Sequence, residues 1–80
     1  MELNNIGANQ TEVELGNLRV FFSYNTPVAY FSNYTKKYYI TNKKHSVTTS
    51  RHINSWLKQN NVKSVDTIKV LQSEVDSATN

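Results

Sequence analysis

Two imidazoles, His45 and His52, stand seven residues apart in a segment that also holds Lys43, Lys44 and Arg51. Histidine is the one side chain whose ordinary pKa lies near neutrality, and cations beside it can stabilise charge developing on phosphoryl oxygens. A metal-independent nuclease is therefore one chemistry these residues could perform. It remains a remote reading, because His52 beside an apolar helical stripe also reads as a packing or capping residue. A metal centre has less support: two histidines, no cysteine, and no carboxylate between Glu14 and Asp66 supply too few ligands. Ser46, Ser50 and Ser55 lack a nearby acidic residue to orient a base, so a hydrolase triad has no local basis either. The sequence reading assigns no catalytic residue and requires no cofactor.

Binding is the stronger theme. Between Glu14 and Asp66 the chain has no acidic residue and carries Arg19, Lys36, Lys37, Lys43, Lys44, Arg51, Lys58 and Lys63, a local charge of +8 within a protein of net charge +3. The acids sit at the ends, with Lys69 as the one further base. Such segregation suits a polyanion or an acidic patch on another protein, although lysine on exposed strands also serves to discourage edge pairing. Thr48, Thr49 and Ser50 stand where a helix begins. Their hydroxyls are suited to capping first-turn amides, and with Arg51 and His52 beside them the same amides could hold a phosphate. The expected anion-binding set is Lys36, Lys37, Lys43, Lys44, Thr48, Thr49, Ser50, Arg51, His52 and Lys58. Tyrosines Tyr30, Tyr34, Tyr38 and Tyr39 interleave with these lysines. They could stack nucleobases or simply form cross-strand packing pairs.

The elements that must position these residues follow from periodicity. Residues 1–10 lack a period and read as a loose N-terminal arm; residues 11–76 read as one domain and residues 77–80 as a frayed tail. Thr11 to Leu15 alternates, with Val13 and Leu15 inward and Glu12 and Glu14 outward. Gly16-Asn17 suits a hairpin turn, and Leu18 to Tyr24 reads as a strand buried on much of both faces. Val28 to Asn33 and Lys37 to Asn42 complete a four-stranded antiparallel meander. Ile53, Trp56 and Leu57 fall at i, i+3, i+4 and form the docking stripe of a helix ending near Asn60-Asn61, with Arg51, Asn54, Ser55 and Lys58 on its outer arc. Val65, Ile68, Leu71 and Val75 fit a helical stripe, but Asp66 to Leu71 reads better as a further strand, because Thr67-Ile68-Lys69-Val70 is β-branched at three of four positions, with a short acidic helix from Ser73. The fold class is α+β, a small meander packed by one helix. One Trp, five Tyr and three Phe give an 80-residue chain the large apolar groups that a modest core needs. No apolar run approaches a membrane span and no secretion signal opens the chain, so a cytoplasmic location is expected.

The pairing of Val20-Phe21-Phe22-Ser23-Tyr24-Asn25-Thr26-Pro27-Val28-Ala29 with Ser46-Val47-Thr48-Thr49-Ser50-Arg51-His52-Ile53-Asn54-Ser55-Trp56-Leu57 resembles a family of small proteins encoded largely by bacteriophages and without an assigned activity. The resemblance spans residues 18–58. It implies a phage accessory protein in a host cytoplasm, and it marks Thr48 to His52 as a family feature that is either a demanding fold junction or a binding site. Together these readings give a non-catalytic module contacting nucleic-acid phosphates, with binding to an acidic host protein as the alternative.

Overall fold

A computed structural model describes residues 2–7 and 9–79. Its strands are β1 (Glu2–Gly7), β2 (Gln10–Leu15), β3 (Leu18–Ser23), β4 (Thr26–Ser32), β5 (Lys37–Thr41) and β6 (Thr67–Val70), with helices α1 (Val47–Gln59) and α2 (Gln72–Ser77). The strands lie side by side in chain order in one sheet. β1 to β5 pair antiparallel, as hairpin connections require, whereas β6 runs parallel to β5 after the long α1 crossover. The expected α+β class and four-stranded meander are present, and the Thr67–Val70 run is a strand followed by a short helix.

Turn chemistry sets the register. Gly16 takes φ +60° between the paired Leu15 and Leu18, a conformation in which glycine has no Cβ penalty. Tyr24 adopts φ +57° in the next turn, between the paired Ser23 and Thr26. This is uncommon for a bulky residue, and it explains why β3 stops at Ser23, one residue short of the expected end. Pro27 needs no ladder donor and sits where the β3–β4 register shifts.

Two features differ from expectation. Glu2–Gly7 forms a strand on β2 in place of a loose arm: its pairing comes from the adjacent β2 edge and not from any pattern of its own. At the other end the backbone amides of Ala78 and Thr79 donate to Glu74 O and Asp76 O, which carries helical bonding past Ser77 where the tail was expected to fray.

The sheet has helices on both faces. Glu12, Phe21, Ala29 and Ile40 lie in successive register on one face, followed on β6 by Lys69, and α1 covers this face. Phe21, Val28, Ala29, Ile40, Trp56 and Leu57 form the buried core there, with Phe31, Tyr38, Ile53 and Val62 against it. Trp56 stacks on Phe21 at 5.1 Å between centroids and meets Tyr38 edge-on at 5.4 Å. Its indole N–H donates to Glu12 Oε1 at 3.0 Å, so Glu12 lies under the helix and not on the solvent face that simple alternation assigned it. A buried indole needs such a partner. Arg19 completes this end of the core: it approaches Glu12 at 3.7 Å, donates to Tyr38 Oη and lies 4.9 Å over the Phe31 ring. On the opposite face α2 buries Val75, and Tyr30 stacks on its cross-strand partner Tyr39 at 4.8 Å.

Candidate functional site

The helix cap lies two residues before the first of the expected capping hydroxyls. Ser46 is the N-cap, and its Oγ accepts from the Thr49 amide at 3.2 Å; Thr48, Thr49 and Ser50 therefore occupy the first turn and do not precede it. Thr49 is buried, and its Oγ1 accepts from both Ser23 Oγ at 3.1 Å and Ser46 Oγ at 3.2 Å. His52 Nδ1 lies 2.8 Å from Ser23 Oγ, and its ring packs beside Tyr24 at 5.6 Å. The Ser23 hydroxyl has one hydrogen, so when it is given to Thr49 the His52 Nδ1 must be the donor to Ser23. Ser23 and Tyr24 from the first motif thus meet Thr49 and His52 from the second. That contact is a polar joint between β3 and α1.

A serine 2.8 Å from an imidazole has nucleophile–base spacing. Ser23, however, is only 2% exposed, and a carbonyl or phosphoryl group cannot approach an oxygen so enclosed. His45 turns elsewhere, its Nε2 lying 3.1 Å from Gln72 Oε1 in α2. Gln72 in turn donates to Pro27 O and to Asp76 Oδ1, so His45 belongs to a tie between the loop before α1 and the opposite face of the sheet. The two histidines have different partners and do not form an acid–base pair. Among the described residues no group of three or more His, Cys, Asp or Glu side chains could hold a metal ion.

The lysines gather on the other flank of α1. Ser50, Asn54, Leu57, Lys58 and Asn61 recur at helical spacing and border two open hollows that share Asn54. The upper hollow, about 430 Å³, is lined by Ile40, Thr41, Asn42, Lys43, Lys44, Ser50, Ile53, Asn54 and Lys69. The lower, about 350 Å³, is lined by Asn54, Leu57, Lys58, Asn61, Val62 and Lys63. Their walls follow from topology. The chain leaving β5 supplies Lys43 and Lys44; the turn after α1 supplies Lys63; and Lys69 shares its face with Ile40, its register partner across the β5–β6 ladder. Among the described residues no carboxylate lines either hollow, and their single ion pair, Arg19–Glu12, involves none of these lysines. The cleft therefore has five ammonium groups over an aliphatic floor of Ile40, Ile53, Leu57 and Val62.

This geometry divides the expected set. Lys43, Lys44, Ser50 and Lys58 line the cleft, whereas Thr49 and His52 are committed to the β3 joint. Thr48 and Arg51 are exposed and line neither hollow. Lys36 sits in the β4–β5 turn at φ +59°, and Lys37 shares its strand face with Tyr39, on the α2 side. Sequence reasoning missed Lys69, which belongs in chain order to the acidic end, and Asn54 and Lys63 as cleft residues. The signal for Lys69 was the strand at Thr67–Val70, whose position beside β5 no local pattern specifies.

The arrangement defines a small α+β domain with a lysine-lined cleft of two adjoining hollows along its main helix, one of them bordered by the parallel edge strand. The sequence profile of a family of unknown function, DUF8033, matches residues 1–73, and the chain belongs to that family. No curated protein and no solved structure gives a match. Among the described residues no helix is long and apolar enough to cross a membrane.

Proposed function

We propose that this protein is a non-catalytic binding module whose cleft takes the phosphates of a nucleic acid. The observation that carries the reading is the convergence of Lys43, Lys44, Lys58, Lys63 and Lys69 on one flank of α1 without a lining carboxylate. Flexible ammonium groups act as mobile point charges that follow a phosphate backbone. The amide and hydroxyl of Asn54 and Ser50 add neutral donors between them. The engagement of Ser23, His45 and His52 in structural bonds supports a role in binding over one in catalysis. A phage accessory role in a host cytoplasm is part of the proposal and rests on the resemblance carried by the Val20–Ala29 and Ser46–Leu57 motifs. Fluorescence anisotropy of labelled nucleic acid at two salt concentrations tests the binding reading: salt-sensitive binding is expected, and none even at low salt would overturn it.

A second reading, an acidic patch on a host protein, is favoured by Val65, 84% exposed, and Leu71, 58% exposed, which flank β6 in the chain. Exposed apolar groups suit a protein interface. Such a complex, with an apolar centre, loses much less affinity with salt than phosphate contacts do.

A further inference from the structure

We infer that the cleft's ligand is the phosphate backbone of a double-stranded nucleic acid, bound without reading the bases; this rests on the nucleic-acid reading above. Proteins that hold single strands pair a basic groove with aromatic platforms on which unstacked bases lie. Among the described residues no aromatic side chain lines either hollow, and the floor is aliphatic. The tyrosines that interleave with the lysines in sequence lie outside both hollows. Tyr30 and Tyr39 stack on each other on the α2 face, Tyr38 packs against Trp56, and the Tyr34 hydroxyl accepts from Asn17. An extruded base entering the cleft would find no ring to stack on, whereas a duplex keeps its bases stacked and offers its phosphates.

The charged lining also lacks the group best suited to base recognition. Arginine reads guanine through a planar fork, and no arginine lines the cleft, whose cations are all lysines. From Ser50 to Lys58 the helix flank runs about 12 Å. A strand of B-form DNA winds away from a straight flank as it advances, so this flank faces only a few successive phosphates of one strand. Lys43 and Lys44 extend the row beyond one end and Lys63 beyond the other.

The test is anisotropy at low salt with two blunt 20-base-pair DNA duplexes of unrelated sequence, their separated strands, and polyglutamate of matching charge. The expected result is duplex binding at least about tenfold tighter than to either strand or to polyglutamate, with the two duplexes within about threefold of each other. Single strands bound as tightly as duplex would overturn the duplex inference and leave the nucleic-acid reading standing. Polyglutamate bound as tightly as duplex would overturn both in favour of an acidic protein partner, and no binding to any probe would also overturn both. A large preference between the two duplexes would overturn the claim that bases are not read. The variant Lys43→Ala/Lys44→Ala/Lys69→Ala, checked for an unchanged circular dichroism spectrum, should lose the duplex preference.

Discussion

Replacing Lys43, Lys44 and Lys69 together by alanine isolates the upper half of the cleft. All three side chains are exposed and hold no ion pair among the described residues, so each substitution should alter folding stability by no more than about 0.5 kcal/mol. Their effect on binding should be large and of a particular form. If all five cleft lysines neutralise duplex phosphates, log K falls with log salt at a slope of about −4.5, and the variant, with two lysines left, should show about −1.8. Between 50 and 200 mM salt the wild type then loses about 500-fold in affinity and the variant about 12-fold. Anisotropy titrations at four salt concentrations measure both slopes. The companion variant Lys36→Ala/Lys37→Ala removes as much charge per site from outside the cleft and should leave the slope nearly at the wild-type value. A triple variant with an unchanged slope would refute the cleft as the binding site, and a Lys36/Lys37 variant with an equal loss per lysine would show that general basicity drives binding.

Three further outcomes test the scaffold. Trp56→Ala should cost about 3–5 kcal/mol in urea unfolding, and Trp56→Phe about 1–3 kcal/mol, because Glu12 is left without its indole donor under the helix; a phenylalanine variant as stable as wild type would remove that bond from the account. Thr49→Val keeps the volume but deprives Ser23 and Ser46 of their acceptor, and a loss of about 1–3 kcal/mol is expected, read as a lowered urea midpoint; no shift would refute the joint. Burial, then Tyr39 and Glu74, hold the Tyr30 pKa above its ordinary 10.0, so the unfolded chain loses this proton first. The neutral form's stabilisation is complete below pH 10.0 and is lost as pH rises from there through the folded value; Tyr30→Phe should make the fall in melting temperature above that pH shallower, and identical profiles would exclude the contribution.

Local pattern carried the meander because Val13 and Leu15 alternate with Glu12 and Glu14, and the apolar run Val20, Phe21, Phe22 follows across a short turn marked by Gly16. It could not carry β1, whose Asn4 and Asn5 are poor strand formers held by pairing with Thr11 and Glu12. Three successive hydroxyls left the cap ambiguous. The bond from Ser23, twenty-six residues earlier, fixes Thr49 inside the helix and leaves the cap to Ser46. Glu12 was misplaced for a similar reason: period two sorts residues onto two faces but does not say that a tryptophan will arrive over one of them. The site was half legible. Lysines were visible as a run of charge, but the run is distributed by topology, which sends Lys37 to the α2 face and brings Lys69 from the acidic end into the cleft.

The parallel edge strand has a further consequence for cooperativity. β6 has four residues and is bonded to the sheet through β5 alone, whereas the antiparallel hairpins beside it close over short turns. Parallel pairing across a helix crossover is the later, more weakly protected kind of contact. The cleft's two walls therefore belong to regions anchored in different ways, one by Trp56 in the core and the other by pairing with β5 and by α2 beyond it. A ligand spanning Lys58 and Lys69 ties them together, and by mass action it slows amide hydrogen exchange in Thr67–Val70 most, while the exchange of β3, already limited by global unfolding, changes only with total stability.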